Sequence, residues 1–451
     1  RTKKQPITNH QSPITNKEQR TKNKEQRTTN TKPYLCIMPS SSLLKNFVSL
    51  SFVQVVNQLV PLLAIPVVMP IIGLEAFAQV AFVQSLATVM SGLVDYGFAY
   101  SATRRVSVNR FDNALLTTIV SEVMSTRLVV LLLSVVAMAG VFLLLPAQTG
   151  GLPLFIAAVC WVMGNALWPH WFFLGMERMH WITIINAISK LLFFFSVILL
   201  LRQPGQGYML ILFFGLANTL AAVAALTLMK AGWGIGFKWS GWKAVRLQLK
   251  EGWPLFISTA STTSLVNSNV LVLGLFVQGA PLGLFGVAEK ILLAMQQLLS
   301  TFSQATYPAL CSAAVMKDGI TLRLRRFFIR NYLWFYGVFV GLIVAAYFSS
   351  GWIMLLMGGA EAAGGAGMLQ LLLPVALLIS LNIFPGQLLL AFHRDKAYRT
   401  AYLSAALANL ALNFMLSPAF GPVGTAVAMW ATHVMLNLML WIPGLAFVRK
   451  T

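Results

Sequence analysis

Charged side chains are scarce in this chain. Only 10% of its 451 residues are Asp, Glu, Lys or Arg, whereas 57% are hydrophobic, and the mean hydropathy is +0.74. A soluble protein of this length needs far more charge to cover its surface, so the composition excludes that class. Acidic residues are scarcer still, with 12 Asp and Glu against 33 Lys and Arg, which gives a formal net charge of +21. The composition predicts a polytopic membrane protein.

Residues for redox, metal and nucleotide chemistry are also few. Cys36, Cys160 and Cys311 are isolated, so the sequence has neither a CxxC motif nor an even set for a disulfide framework. The five histidines show no metal-ligand spacing, and the glycine-rich stretch 358–367 lacks the pattern of a phosphate-binding loop. We therefore expect no metal, no cofactor and no catalytic residue.

Long apolar runs are abundant. The first two, at about 46–69 and 76–98, are each long enough at ~1.5 Å per residue to cross a ~30 Å hydrocarbon core. They predict a membrane hairpin. Ten further runs make twelve predicted spans, at about Leu115–Leu145, Leu152–Leu174, Trp181–Leu201, Tyr208–Met229, Trp253–Val277, Leu282–Tyr307, Phe327–Ser349, Met368–Phe392, Ala397–Leu416 and Val423–Val448.

Lys and Arg concentrate on one side of these spans. The loops that begin near Arg104, Lys230, Lys317 and Arg394 are basic, whereas the loops of the opposite set hold only Arg202. The positive-inside rule therefore places both termini in the cytoplasm. The basic balance reflects membrane topology, so we expect no nucleic-acid partner.

The layout predicts four segments. Residues 1–37 form a basic tail with almost no apolar residues and an imperfect duplication, which predicts disorder. Met38 opens a plausible membrane-protein start, so we hypothesise that the tail is upstream sequence translated in frame; the alternative is an arm that binds anionic lipid. Residues 38–230 and 253–451 are predicted to form two six-helix lobes around a central cavity, joined by a cytoplasmic linker at 231–252.

Lys190 is the most informative residue, because it falls near the middle of the fifth span. Thr183, Asn186 and Lys190 are spaced i, i+3, i+7 and so share one helix face. A midplane charge costs at least ~2.5–3.5 kcal/mol, which predicts contact with a substrate or ion; a structural ion pair is the alternative. Gln54 and Asn57 give the first span a similar stripe, which either lines the cavity or binds a neighbouring helix.

Three more charges lie within predicted spans. Glu289 and Lys290 are adjacent on the eighth span and point in different directions, so one is expected to pair across helices while the other faces the cavity. Arg127 lies in a third run too long for the membrane. Either its long aliphatic side chain extends so that the guanidinium reaches the inner membrane interface, or the guanidinium faces the cavity.

Other polar and aromatic residues have weaker signals. Asp95, at the inner end of the second span, is predicted to pair with Arg104 or Arg105. His433 is a candidate proton site beside Asn437, although a satisfied buried histidine is the commoner case. Three residues are candidates for ion or proton coupling, namely Glu289, Asp95 and His433. Aromatic residues of the fourth and fifth spans are expected at the membrane interface or facing sugars in the cavity: Trp161, Trp168, Trp171, Phe172, Phe173 and Trp181.

Five motifs carry a resemblance to a known family, at 46–68, 73–78, 95–105, 169–192 (PHWFFLGMERMHWITIINAISKLL) and 287–310. Together they resemble the Wzx-type O-antigen flippases, in the polysaccharide-transporter branch of the multidrug/oligosaccharidyl-lipid/polysaccharide exporter superfamily. The likeness covers residues 45–448. Pro70 and Ala78 depart from it, where that family often has Arg and Gly.

The resemblance implies a bacterial inner-membrane protein and not an enzyme. It would flip an undecaprenyl-diphosphate-linked oligosaccharide, an O-antigen or exopolysaccharide repeat unit, by alternating access. It would work among membrane lipids, with a polysaccharide polymerase and a chain-length regulator as further partners. Two alternatives stay open: another lipid-linked or amphipathic substrate in the same superfamily, and a membrane glycosyltransferase or O-antigen polymerase. Short outer loops argue against the last.

Overall fold

The structure is a computed structural model. It describes the backbone of residues 40–315, 324 and 326–448, and the side chains of 60–307, 310–311, 324 and 326–443. The basic tail and the side chains of Gln54 and Asn57 lie outside these residues. The compact unit Val48–Thr451 contains all the side chains that the structure describes.

Every regular element in the described residues is helical. The first eight helices are α1 (Ser40–Asp95), α2 (Phe98–Val108), α3 (Asn113–Leu144), α4 (Pro146–Thr149), α5 (Leu152–Leu167), α6 (His170–Gly175), α7 (Met179–Leu200) and α8 (Tyr208–Trp233). The others are α9 (Gly241–Asn267), α10 (Asn269–Phe276), α11 (Ala280–Val315), α12 (Trp334–Phe348), α13 (Ser350–Ala362), α14 (Ala366–Ala391) and α15 (Asp395–Val448). One-turn helices occupy Pro204–Gln206, Phe328–Leu333 and Ala363–Gly365.

Nine helical segments among the described residues are long and apolar enough to cross a membrane. Two of them, Val60–Val108 and Asp395–Pro443, have 49 residues each and contain a glycine with non-helical backbone angles, Gly73 (φ 78°) and Gly421 (φ 57°), so each is long enough for two crossings. The predicted all-α polytopic fold is confirmed, whereas the number of twelve spans stays a prediction.

The most extensive helix packing lies between neighbours in each half of the chain. Helix α8 packs along α5 and α7, while α14 packs along α11 and α15. The division into two six-helix lobes stays a prediction. The predicted linker is more helical than expected, because α9 already begins at Gly241 and only about seven residues connect it to α8.

Hydrogen bonds fix this short connection to α3. The backbone N–H of Lys238 donates to the Ser121 hydroxyl at 3.1 Å, and that of Ser240 donates to the Ser125 hydroxyl at 3.1 Å. Ser121 and Ser125 are one helical turn apart, so they match the rise of the extended connection. The start of α9 is thereby held against the N-terminal half.

At the Gly73 bend, α1 and α11 approach so closely that no side chain fits between them. A Cβ on Gly283 would lie 2.6 Å from the Leu74 carbonyl oxygen. The backbone N–H of Leu74 donates to Glu361 Oε2 at 2.8 Å, which ties the bend to α13. These contacts hold α1, α11 and α13 together at this end of the helices.

Candidate functional site

A cavity of about 710 Å³, here called the principal cavity, lies among helices of the N-terminal half and α9. It brings together groups that are far apart in the sequence. The polar and charged residues that line it are Thr88, Ser91, Asp95, Arg127, Asn165, His170, Asn186, Lys190, Asn218, Thr263 and Asn267. Two tryptophans and Phe214 complete much of its wall. A chamber with these walls suits a polar, bulky ligand.

Lys190 points into this cavity and away from lipid. Its own helix exposes Ile188 and Phe195 on the opposite side, while Lys190 is only 6% exposed. The ammonium donates to Asn218 Oδ1 at 3.2 Å and lies 3.8 Å from the centre of the Phe214 ring. Among the described side chains, no carboxylate lies within ion-pair distance of it. The buried ammonium is thus stabilised by an amide dipole and an aromatic ring, neither of which neutralises its charge.

Arg127 lines the same cavity. It is 2% exposed and donates to the carbonyl oxygens of Asn165 at 2.8 Å and Trp168 at 2.9 Å. Those carbonyls end α5, where the macrodipole favours a cation. Arg127 therefore stabilises the end of α5 and also forms part of the cavity wall.

Asp95 pairs with Arg127, not with Arg104 or Arg105 as predicted. The Arg127 guanidinium lies 3.7 Å from Asp95 Oδ1, within ion-pair range but too far for a hydrogen bond. Arg105 instead binds Glu122 at 2.7 Å. The prediction failed because residues a few positions apart lie on two helices, α1 and α2, separated by a sharp turn at Tyr96 and Gly97, both with positive φ. The turn carries Arg105 away from Asp95.

Close packing of α5 against α8 sets the geometry of this wall. A Cβ on Gly215 would lie 2.6 Å from the Trp161 backbone nitrogen, and one on Gly164 would lie 2.9 Å from that of Thr219. Only glycine permits such contact. It brings the side chains of Trp161 and Phe214 into a stack with ring centres 3.9 Å apart.

The other predicted cavity residues are divided among three places. Asn186 lines the principal cavity, whereas Thr183 is absent from its lining and donates to the Met179 carbonyl at 3.2 Å. Lys290 lines a smaller adjoining chamber of about 190 Å³, here called the second chamber. Glu289 lines a different cavity, so the two side chains point apart as expected. The expected ion pair across helices is not found for either of them among the described side chains. Gln54 and Asn57 lie outside the described side chains.

That different cavity, here called the C-terminal cavity, has about 270 Å³ and is lined by Glu289, Asn382 and His433 among others. Glu289 is 5% exposed, and its Oε1 has no hydrogen-bond partner in the described structure. Asn382 Nδ2 lies 3.3 Å from His433 Nδ1, while the Asn437 amide donates to the His433 carbonyl. Glu289 and His433, predicted separately, thus line one mostly apolar cavity, and Asp95 is not part of its wall.

Aromatic residues follow neither predicted role uniformly. Trp161 and Trp168 line the principal cavity. Trp171, Phe172 and Phe173 are fully buried in a hydrophobic cluster with Trp233, so their assignment to the interface or to sugar contact is wrong. The tight turn at Trp168 and Pro169 redirects α6 into the protein and buries these rings.

Several cavity residues were missed by reading charges alone, namely Thr88, Ser91, Asn165, His170, Asn218, Thr263 and Asn267. A signal for some of them existed. Thr88, Ser91 and Asp95 are spaced i, i+3, i+7, and Thr263 and Asn267 are spaced i, i+4, so each set shares one helix face. Asn218 stands alone in an apolar run and gave no such pattern.

More than half of the chain matches a known protein family. The family model described as "Polysaccharide biosynthesis protein" covers residues 43–313. The chain belongs to the polysaccharide biosynthesis protein family. All the residues that line the principal cavity and the second chamber fall within the matched range.

Two curated relatives of this polysaccharide biosynthesis family member carry the name "Putative O-antigen transporter". The one from Escherichia coli (strain K12) is 27% identical over 422 residues, covering 91% of this chain and 97% of the relative. The one from Shigella dysenteriae is 26% identical over 400 residues, covering 88% and 98%. The predicted resemblance to the Wzx-type branch is confirmed by these matches.

Solved structures share the fold of this family member. The lipid II flippase MurJ in an inward closed conformation matches with a TM-score of 0.69 at 13% identity, covering 89% of this chain and 87% of that one. An inward-facing multidrug resistance MATE family transporter of the MOP superfamily matches with a TM-score of 0.65 at 11% identity, covering 87% and 95%. At such identities the likeness concerns the fold alone.

Proposed function

We propose that the protein is a flippase for a lipid-linked oligosaccharide. Its substrate is an undecaprenyl-diphosphate-linked O-antigen or exopolysaccharide repeat unit, carried across the bacterial inner membrane by alternating access. The observation that carries this proposal is Lys190, a buried cation that lines a polar cavity without a carboxylate partner among the described side chains. Both curated relatives are named as transporters, in agreement with a transporter rather than an enzyme.

The cavity chemistry suits such a headgroup. A diphosphate and its sugars do not cross hydrocarbon unaided, because burying unpaired charges and hydroxyls costs several kcal/mol per group. Lys190 and Arg127 together outweigh the single carboxylate of Asp95 in the principal cavity. The amides of Asn165, Asn186 and Asn218 offer donors and acceptors to sugar hydroxyls. The lipid chain stays in the bilayer while the headgroup occupies the cavity.

Coupling to an ion or proton gradient is assigned to the C-terminal cavity rather than to Asp95. Glu289 is buried there with an unpartnered oxygen, which makes its charge state sensitive to what enters. His433 shares the cavity and supplies a second group able to exchange a proton. Asp95 is held instead beside Arg127.

The alternatives predict different cavities. A drug exporter for cationic compounds would need an unpaired acid in the principal cavity, but the one carboxylate that lines this cavity, Asp95, faces Arg127.

The proposed location is the inner membrane with both termini cytoplasmic. A polysaccharide polymerase and a chain-length regulator act on the product and are the proposed protein partners.

Analysis of lipid-linked sugars in a deletion strain tests the proposal. Without the protein, the complete repeat unit should accumulate on its lipid carrier at the cytoplasmic leaflet, and surface polysaccharide should be lost. The wild-type chain should restore export, whereas Lys190→Ala should not, although it inserts normally. Lys230→Ala, which removes an exposed lysine outside the cavity, is the matched control. Normal surface polysaccharide in the deletion strain, or in cells with Lys190→Ala as the sole copy, contradicts the proposal.

A further inference from the structure

The second chamber shares part of its wall with the principal cavity. Thr88, Trp161, Phe214 and Asn267 line both spaces, and they come from α1, α5, α8 and α9. Four helices therefore meet at one boundary. A boundary built from four separate helices changes its width whenever those helices move.

The aromatic members of this boundary are stacked. The Trp161 and Phe214 rings have centres 3.9 Å apart and planes inclined by 21°, and Trp161 is only 7% exposed. The Lys190 ammonium lies against Phe214 and belongs to the principal cavity alone. Lys290 belongs to the second chamber alone. The stacked pair thus lies between two spaces that each contain one lysine.

Neither lysine forms a salt bridge with a carboxylate among the described side chains. Glu289 acts electrostatically on its chain neighbour Lys290, but its side chain lines the C-terminal cavity instead of the second chamber. The amide of Gln84 is the other polar group that the second chamber adds to the shared boundary. A lysine without a salt-bridge partner, beside an amide, suits the binding of an anionic group such as a phosphate.

We propose that Thr88, Trp161, Phe214 and Asn267 form a constriction between two anion-binding stations, Lys190 in the principal cavity and Lys290 in the second chamber. The inference rests on the proposed function in one respect, that the anion is the diphosphate of the lipid-linked substrate. The diphosphate moves from the first station to the second when the stacked rings separate. The constriction itself does not depend on what the substrate is.

The sizes of the two spaces agree with a closed constriction. The principal cavity holds about 710 Å³, within the range of ligand sites, whereas the second chamber holds about 190 Å³, below the usual ~300 Å³. It admits a headgroup only after enlarging. Asn267 is the last residue of α9, and only Ser268, which keeps helical backbone angles, separates it from α10.

Thiol accessibility in membrane vesicles tests the constriction without any substrate. In a background with Cys36, Cys160 and Cys311 changed to Ser, Asn165→Cys reports on the principal cavity and Gln84→Cys on the second chamber. A small anionic methanethiosulfonate reagent, applied from the side that labels Asn165→Cys, should modify Gln84→Cys much more slowly. Trp161→Ala should raise that slow rate by about tenfold, equivalent to roughly 1.4 kcal/mol of barrier.

Two controls keep this test decisive. Phe142→Ala removes a ring from an aromatic pair outside both spaces and should leave the Gln84→Cys rate unchanged. Phe214→Leu, which keeps an apolar side chain, replaces Trp161→Ala if that variant fails to fold. Equal labelling of the two cysteines before any boundary mutation, or no response to opening the boundary, overturns the constriction.

The second station is tested by the charge of the reagent. With the boundary opened, Lys290→Gln should slow the anionic reagent at Gln84→Cys by about tenfold relative to a cationic methanethiosulfonate, because it removes the attracting charge. An unchanged ratio overturns the Lys290 station. These results do not depend on export, so failure of the flippase proposal would appear separately, as normal lipid-linked sugars in the deletion strain.

Discussion

Asn218 Oδ1 accepts hydrogen bonds from both Ser189 Oγ and Lys190 Nζ, each at 3.2 Å. One amide oxygen on α8 therefore fixes two consecutive side chains of α7. The interaction holds the ammonium beside the Phe214 ring but leaves its charge intact, since an amide is a dipole and not an anion. An ammonium group that is held in position but keeps its charge can still attract a phosphate.

Asn218→Asp tests whether that charge must stay uncompensated. The substitution keeps the shape of the side chain but places a carboxylate within ion-pair distance of Lys190, so it should remove most export while the protein remains folded. Lys190→Arg should retain much of the export because it preserves the positive charge. Surface polysaccharide measured by immunoblot, normalised to membrane protein, distinguishes the two. Full export by Asn218→Asp would show that a neutralised Lys190 suffices.

Arg127→Ala is predicted to act on stability as well as on export. It leaves the Asn165 and Trp168 carbonyls without their donor and Asp95 without its partner. Breaking a buried charge pair costs roughly 3–5 kcal/mol, so the melting temperature in detergent should fall clearly. Arg104→Ala removes an exposed arginine of the same basic region and should leave the melting temperature unchanged. Equal melting of both variants would mean that Arg127 does not support the end of α5.

Substitution of glycine by alanine should have opposite effects on stability at two positions. Gly215→Ala places a methyl group 2.6 Å from the Trp161 backbone, and overpacking of this kind costs roughly 1–3 kcal/mol. Gly140→Ala meets no atom within 4 Å and should stabilise α3 by about 0.5–1 kcal/mol, because alanine favours helix. Thermal unfolding in the same detergent measures both. A stable Gly215→Ala protein would mean that α5 and α8 separate without loss.

Much of the fold was predictable, because span length and loop charge act locally along the chain. Lys190 and Arg127 could be assigned to the interior because a charged side chain in an apolar run is costly to expose to hydrocarbon, so it faces the inside of the helix bundle. Their partners could not be predicted. Asn218 lies 28 residues from Lys190, and the Trp168 carbonyl lies 41 residues from Arg127. A helix that is apolar all round carries no periodic signal for which face meets which neighbour.

Glu289→Gln tests the assignment of coupling to the C-terminal cavity. The substitution keeps the volume but removes the exchangeable proton, so export should fall strongly while melting is unchanged or improved, since no charge needs burial. Collapsing the proton gradient with an ionophore should reduce wild-type export but leave the residual export of this variant unaffected. The exposed Glu251→Gln serves as the control. An ionophore effect of equal size on Glu289→Gln and wild type would exclude Glu289 from coupling.

The hydrogen bond from the Leu74 N–H to Glu361 Oε2, 2.8 Å long, is predicted to keep the helices closed together at the Gly73 bend. It must break when α1 and α13 separate, whereas the packing of Gly283 against Leu74 adds no polar bond. Because Glu361 is largely exposed, we assign its bond only roughly 1 kcal/mol, which corresponds to about a fivefold shift between closed and open states.

Glu361→Ala should therefore raise labelling of Gln84→Cys from the closed side by about that factor. Glu75→Ala removes an exposed acid two residues from the same bend, with no hydrogen bond to it in the described structure, and should leave labelling unchanged. Since the two variants lose the same charge at the same end of the molecule, a difference between them isolates the bond to Leu74 from any general effect of surface charge. Equal labelling would assign closure to the glycine packing of α1 on α11.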